Sequence, residues 1–161
     1  MKFEHLIEIN DPLNPLIDAL TVEQLWAGLV LSAESPKLFV PHLDDCIVDE
    51  RTETGFRRRR RFGKLVVEDR VVLEPALRQL RYEVEPQPEI SRQSLTVTIE
   101  TPTADTLYVR FQYQDDHDAA TDEANAMYDE FRKSAYQESD IDMIRVLREL
   151  ATEGRLGATL N

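Results

Sequence analysis

The sequence is poor in cysteine, and Cys46 is the only one in 161 residues. A lone cysteine has no partner for an intramolecular disulfide, and it excludes the cysteine clusters that bind structural zinc. This usage fits a cytoplasmic protein, and we expect that location. Because no base neighbours Cys46 in the sequence, we expect its thiol to be inert.

The sequence also lacks long apolar runs. No stretch is apolar enough to span a bilayer, so we expect no membrane insertion. The N-terminal segment MKFEHLIEIN contains charges and no apolar run of signal-peptide length, which argues against a secretory leader.

Basic residues are scarce, since 19 lysines and arginines stand against 31 aspartates and glutamates, for a formal net charge of −12. Affinity for a nucleic-acid backbone comes from lysine and arginine, so we expect no nucleic-acid partner. The acidic excess favours solubility, with an interaction surface as the alternative. One segment departs from this composition, because five consecutive arginines occupy residues 57–61.

Hydrophobic residues make up 42% of the chain, enough for one domain with a sizeable core. No repeat or linker interrupts residues 1–161, so we predict one domain, with residues 155–161 as a loose tail. The residue patterns predict a strand over 2–9, a short helix pair beginning at the cap Thr21, six strands between about 44 and 114, and a long C-terminal helix. This order predicts an α+β fold, in which seven antiparallel strands wrap around the C-terminal helix and leave a cavity.

Apolar residues on the predicted helices and strands supply candidates for the cavity wall. Trp26 lies on the apolar stripe of the first helix, where it would either cover a pocket or pack in the core. Met127 and Phe131 lie on the stripe of the C-terminal helix that we expect to face the sheet. Phe111, in the last predicted strand, completes the apolar candidates.

The arginine run is predicted to form a strand, because the segment FGKL offers a two-residue hairpin turn that begins with Gly63. This register places Arg60 opposite Val67 and Arg58 opposite Asp69. Side chains alternate between the two faces of a strand. The covered face therefore holds Phe56, Arg58, Arg60 and Phe62, and the outer face holds Arg57, Arg59 and Arg61, with Glu68 opposite Arg59.

A two-residue turn at Pro75-Ala76 would place Tyr82 opposite Asp69, so that Arg58, Asp69 and Tyr82 form a row across three strands. A guanidinium can bind a buried carboxylate through two hydrogen bonds. Arg60 would be an unpaired cation facing a water-filled cavity, a second partner of Asp69, or a contact for an anionic ligand. The row is either a polar anchor in a ligand pocket or an ion pair that only fixes strand register.

Two helical motifs, LTVEQLWAGLVLSAESPKLFVP and AYQESDIDMIRVLREL, resemble the AtaL-like branch of the SRPBCC superfamily of START-like, birch-pollen-allergen-like proteins. The strand block between them, through VVEDRVVLEP, matches in order and length, so the resemblance covers nearly the whole chain. It implies a helix-grip fold with a hydrophobic cavity. The superfamily includes lipid carriers, plant-hormone receptors and polyketide aromatase/cyclases, and the branch offers no agreed catalytic residues to carry over.

Two further features suggest chemistry. His5 lies on the apolar phase of the first strand, which the helix-grip order places beside the last strand. It would either titrate in the cavity as an acid or base, or be a core histidine with one hydrogen bond. The segment QYQDDHDAATDE gathers carboxylates around His117, but an acidic turn that caps the last helix explains it, and we expect no metal and no cofactor.

Three hypotheses follow for the function. The protein would bind a small hydrophobic or amphipathic molecule, with Arg58, Arg60, Asp69 and Tyr82 as polar contacts. Alternatively, it would be a cyclase, hydratase or dehydratase that uses His5, Asp69 or Tyr82 as acid or base. In the third hypothesis it is an interaction module or homodimer whose interior is filled by its own side chains.

Overall fold

The computed structural model describes residues 1–88, 90–116 and 123–156. Within these ranges the chain forms two α-helices, α1 (Val22–Glu34) and α2 (Glu123–Thr152), and two short 3-10 helices at Pro36–Leu38 and Pro75–Leu77. The strands are β1 (Lys2–Asn10), β2 (Asp45–Thr52), β3 (Gly55–Phe62), β4 (Leu65–Glu74), β5 (Gln79–Val84), β6 (Gln93–Glu100) and β7 (Leu107–Asp115). No helix of the described residues has both the length and the apolar character that crossing a bilayer requires.

The strands form one sheet in the order β1-β7-β6-β5-β4-β3-β2, and every neighbouring pair is antiparallel. The core lies where this sheet meets the two helices, since residues of α1, α2 and the strands share one buried apolar cluster. The α+β helix-grip fold is therefore confirmed, including the neighbouring positions of the first and last strands.

Helix α1 begins where the sequence predicts. The Thr21 side chain accepts a hydrogen bond from the Gln24 backbone N–H at 3.0 Å, and the Gln24 side chain accepts one from the Thr21 N–H at 2.9 Å. This reciprocal capping box satisfies two backbone donors that the helix itself cannot. At Gly28 an added Cβ would lie 2.4 Å from Cγ of Leu147, so the absence of a side chain lets α1 and α2 pack closely.

The buried face of α2 differs from the prediction. Met127 and Phe131 are 74% and 79% exposed, so they do not face the sheet. The buried positions of the helix run through Asp129, Asp140, Ile144, Leu147 and Leu150. Polar residues occupy the first part of this face, and the apolar residues Met127 and Phe131, each two positions from Asp129, lie roughly 160° away around the helix.

The hairpin of β3 and β4 has the predicted register. Arg60 lies opposite Val67 and Arg58 opposite Asp69, and Gly63 in the turn has a φ of 61°, which glycine adopts without strain. Arg57, Arg59 and Arg61 are exposed, and Arg59 Nε donates to Glu68 at 2.9 Å.

The register predicted between β4 and β5 is wrong by two residues. Asp69 lies opposite Val84, and Tyr82 lies opposite Val71. The connection is a 3-10 helix at Pro75–Leu77 followed by Arg78, whose φ of 52° is left-handed, and it is therefore longer than a two-residue turn. Because the error is an even number of residues, Tyr82 and Asp69 still share the covered face.

The C-terminal end also differs from the prediction. Leu156, assigned to a loose tail, is 2% exposed within the core, and the Arg155 N–H donates to the Leu150 carbonyl at 2.9 Å. Residues 157–161 of that tail lie outside the described residues.

Candidate functional site

A cavity of about 560 Å³ lies between the sheet and α2. Small-molecule sites in proteins have volumes of roughly 300–1,000 Å³. Five strands, β3 to β7, form one wall, and α2, α1 and residues 36–42 form the other. The apolar part of the lining comprises Leu29, Pro36, Phe39, Val40, Pro41, Val84, Leu95, Val97, Phe111, Ala135 and Met143.

A buried ion pair forms one polar end of the cavity. Arg58 donates to both oxygens of the Asp69 carboxylate, from Nε at 2.9 Å and from Nη2 at 2.6 Å. Its Nη1 donates to the Ala33 carbonyl at 3.1 Å, so β3 is tied to α1 as well. Burial works against the charge of Arg58, but the hydrogen bonds and charge of Asp69 outweigh it and raise the pKa of the guanidinium.

Arg60 is a second partner of Asp69, one of the three roles that the sequence left open. Its Nη2 donates to Asp69 Oδ2 at 3.2 Å. Its Nε is buried and has no hydrogen-bond partner among the described residues. Burial and the charge of Arg58 together lower the pKa of Arg60. Two cations therefore share one carboxylate, and the group carries a surplus positive charge at the cavity wall.

Tyr82 completes this arginine cluster, by which we mean Arg58, Arg60, Asp69 and Tyr82. The Arg58 guanidinium lies 5.0 Å from the centre of the Tyr82 ring, within the range of a cation–π contact. Burial raises the pKa of the Tyr82 hydroxyl, although the charge of Arg58 opposes the shift. The phenol therefore remains a neutral hydrogen-bonding group in the cavity wall.

A second buried polar group lies at the β1–β7 side of the cavity. The Asp140 carboxylate accepts hydrogen bonds from the Tyr113 hydroxyl at 2.8 Å and 2.7 Å. His5 Nε2 lies 2.8 Å from Asp140 Oδ2. Asp140 and Tyr113 both line the cavity. We call Asp140, Tyr113 and His5 the aspartate cluster.

The electrostatics of Asp140 differ from those of Asp69. Burial raises the pKa of Asp140 to about 6, although hydrogen bonds from Tyr113 and His5 oppose the shift. No arginine or lysine of the described residues pairs with Asp140, whereas two arginines pair with Asp69. One carboxylate is therefore paired with two arginines, and the other, with a pKa of about 6, can exchange a proton near neutral pH.

Neighbouring groups hold the aspartate cluster in place. The rings of Tyr113 and Tyr136 stack with their centres 4.0 Å apart. Arg132 Nη2 donates to the Tyr136 hydroxyl at 3.1 Å and also pairs with Asp115 at the end of β7. Contacts between α2 and β7 thus fix the position of Tyr113 relative to Asp140.

The structure brings five of the nine predicted cavity residues together on the wall, namely Arg58, Arg60, Asp69, Tyr82 and Phe111. His5 lies behind the wall, against Asp140. Trp26 packs against the core cluster and does not line the cavity. Met127 and Phe131 lie on the exposed side of α2, as described above.

Sequence reasoning missed several polar residues of the wall, among them Asp140, Tyr113 and His42. The spacing of residues on α2 could have identified Asp140, because it lies one turn from Tyr136 and from Ile144 on a helical face that is otherwise largely buried. Its hydrogen bond to His5 joins residues 135 positions apart, and no local sequence pattern predicts such a contact.

Two other sequence features contribute no chemistry to the described site. Burial raises the pKa of the Cys46 thiol, which disfavours the reactive thiolate. Residues 117–122 of the acidic segment around His117 lie outside the described residues. Within the described ranges, no group of three or more His, Cys, Asp or Glu side chains is placed to hold a metal ion.

Solved structures share this fold at low sequence identity. The Zhui aromatase/cyclase from Streptomyces sp. R1128 has a TM-score of 0.67 at 16% identity, over 98% of this chain and 97% of that one. The di-domain ARO/CYC StfQ from the steffimycin biosynthetic pathway has a TM-score of 0.69 at 12% identity, over 94% of this chain and 51% of that one. This chain thus spans about half the length of StfQ.

Ara h 8.0201 has a TM-score of 0.60 at 14% identity, over 94% of this chain and 98% of that one. At these identities the likeness establishes the fold alone. A comparison with curated proteins gives no match.

Residues 7–154 match the family described as acetylaranotin biosynthesis cluster protein L, abbreviated AtaL. The match covers both helical motifs and all the strands between them, so the resemblance seen in the sequence is confirmed. The chain belongs to the AtaL family.

Proposed function

We propose that the protein binds a small amphipathic molecule in the cavity and that the arginine cluster holds an anionic or strongly hydrogen-bond-accepting group of that molecule. The observation that carries this proposal is the buried Nε of Arg60, which has no partner among the described residues. An unsatisfied buried donor costs free energy, and a ligand oxygen that accepts its hydrogen bond would remove that cost.

Charge supports the same conclusion. Arg58 and Arg60 share the single carboxylate of Asp69, so the cluster attracts one further negative charge. Arg58 already uses Nε, Nη1 and Nη2 in hydrogen bonds within the protein. Arg60 lines the cavity with a side chain that is 23% exposed, and of its donors only Nη2 has a hydrogen-bond partner among the described residues.

The remaining lining suits an apolar body. Aliphatic and aromatic side chains from α1, β6 and β7 surround the space beside the arginine cluster. The cavity volume of about 560 Å³ is sufficient for a molecule of a few fused rings or a short acyl chain. The family is named for a biosynthesis cluster, and Zhui and StfQ are named as aromatase/cyclases. These names support a biosynthetic intermediate as the ligand.

The interaction-module hypothesis required an interior filled by the protein's own side chains, and the open volume counts against it. A homodimer and a cytoplasmic location stay predictions from the sequence. The enzyme hypothesis has a specific observation in its favour, the aspartate cluster, which is developed in the next subsection.

Two dyes with the same aromatic body test the proposal. 1-Anilinonaphthalene-8-sulfonate carries an anionic group, and N-phenyl-1-naphthylamine lacks it. We expect Arg60→Leu to weaken binding of the sulfonate dye by about 10- to 150-fold, which corresponds to roughly 1.5–3 kcal/mol for one charged hydrogen bond. The uncharged dye should bind the variant at least as well as it binds the parent. Both affinities are measured by fluorescence titration.

Arg59→Leu is the matched control, because Arg59 is the next residue of the same strand and faces solvent. It should leave both affinities within twofold of the parent. Equal sulfonate affinities for the parent and Arg60→Leu would remove Arg60 from the site, and equal losses in the two variants would show that the effect is not specific to the cavity.

A further inference from the structure

Asp140 is a buried carboxylate whose surroundings differ from those of a structural ion pair. Its side chain is 9% exposed and borders the cavity. The charged and titratable groups that face it are His5 on β1 and Tyr113 on β7, with Tyr136 of α2 stacked on Tyr113. None of these is a permanent cation, so within the described ranges this buried carboxylate has no fixed counter-charge.

The geometry holds this carboxylate in one orientation. Tyr113 donates to both oxygens, and His5 Nε2, when it carries the proton, donates to Oδ2. Among the described residues, Oδ1 accepts only the hydrogen bond that Tyr113 shares between the two oxygens, which leaves Oδ1 free to accept a proton from a substrate C–H. Two carboxylates that line one cavity in different surroundings, one paired with two arginines and one with no permanent cation among the described residues, are a common arrangement of acid–base sites.

We propose that Asp140 is a general base, positioned by Tyr113 and His5, that removes a proton from carbon in an apolar molecule bound in this cavity. The inference deepens the proposed function, since it uses the same cavity, but it assigns the chemistry to the opposite polar end. Four strand spacings of about 4.8 Å separate β3 from β7, so roughly 19 Å of sheet, measured across the strands, lies between Arg60 and Tyr113. An elongated substrate would therefore place its anionic end on Arg60 and its acidic C–H on Asp140.

The elimination of 5-nitrobenzisoxazole tests the base without knowledge of the natural substrate. The base removes the proton from carbon 3, and the C–H electron pair forms the nitrile. The N–O bond breaks, and its electron pair remains on the phenolate oxygen. The reaction requires no oxidant, reductant or cofactor, and the coloured 2-cyano-4-nitrophenolate product is measured by absorbance.

We expect the parent protein to accelerate the elimination and Asp140→Asn to lower kcat/KM by about 100-fold, the lower range for a general base. Glu149→Gln is the matched control, because Glu149 is a carboxylate of the same helix that is 59% exposed and does not line the cavity. It should keep the parent's rate. If the parent is no faster than Asp140→Asn, or if Glu149→Gln loses as much activity, the proposal is overturned.

The pH profile separates catalysis from a structural role. Because the carboxylate is the active form, the rate should rise as pH increases through about 6, the pKa of Asp140. Tyr113→Phe removes a hydrogen bond that lowers this pKa, so the midpoint should move to higher pH. An unchanged midpoint in Tyr113→Phe would contradict the assignment even if Asp140→Asn failed to fold.

The sulfonate dye distinguishes this proposal from the preceding one. Asp140→Asn should bind the dye like the parent while losing the elimination, and Arg60→Leu should lose the dye while keeping the elimination. A normal dye response of Arg60→Leu would overturn the arginine site and leave the elimination result to decide the role of Asp140.

Discussion

Arg58 provides the most exacting test of how the cavity is held together. It makes two hydrogen bonds to Asp69 and one to the Ala33 carbonyl, and it lies over the Tyr82 ring. The Asp69 side chain is only 1% exposed, so its charge depends on these contacts rather than on water. Arg58→Leu removes all of them without removing the buried carboxylate.

The expected cost follows from the partner that remains. Breaking a buried pair by deleting one member costs about 3–5 kcal/mol. Arg60 still contacts Asp69 at 3.2 Å in the variant, so we expect the lower end of this range. For a domain of this size a loss of about 3 kcal/mol corresponds to a fall in Tm of roughly 6–12 °C.

Urea unfolding followed by circular dichroism measures the loss, with Arg59→Leu as the control. The Arg59–Glu68 pair is exposed, and such pairs contribute about 0–1 kcal/mol. The double variant Arg58→Leu with Asp69→Leu should be less destabilised than the sum of the two single variants by at least about 1 kcal/mol. Additive losses, or an Arg58→Leu variant within about 0.5 kcal/mol of the parent, would refute the reasoning.

Two further predictions concern α2 and the packing around the cavity. Asp140 keeps its proton to about pH 6 in the folded protein and to about 3.8 in the unfolded chain, so its contribution to stability is present below pH 3.8 and is lost as pH rises to 6. As pH rises from 4 to 7, the free energy of unfolding of Asp140→Asn should therefore increase relative to that of the parent by up to about 3 kcal/mol. The same difference between the two proteins at both pH values, measured by urea unfolding, would contradict this. Phe131→Ala should change the free energy of unfolding by less than about 0.5 kcal/mol because its ring is exposed, whereas Phe111→Ala on β7 should cost about 3–5 kcal/mol. A loss in Phe131→Ala as large as that in Phe111→Ala would show that the buried face of α2 is assigned incorrectly.

The sequence predicted the β3–β4 hairpin well because local chemistry determines it. A two-residue turn that begins with Gly63 leaves one register, and strand alternation then assigns Arg58 and Arg60 to the covered face. The β4–β5 register failed because Arg78 adopts a left-handed φ, which residues other than glycine seldom do. An arginine at this position does not predict that the connection is longer than two residues.

The candidate site was predicted in part for a related reason. Arg58, Asp69 and Arg60 lie on adjacent strands of one hairpin, so their contacts follow from its register. The aspartate cluster joins β1, β7 and α2, which only the tertiary fold brings together. On α2 the buried positions include Asp129 and Asp140, so an apolar periodicity could not identify the correct face.

A crystal structure of the protein soaked with 1-anilinonaphthalene-8-sulfonate tests the central claim most directly. We predict the aromatic rings between the sheet and α2, with a sulfonate oxygen about 2.7–3.2 Å from a guanidinium nitrogen of Arg60. A dye bound only on the outer surface, or a cavity closed by its own side chains, would contradict the account.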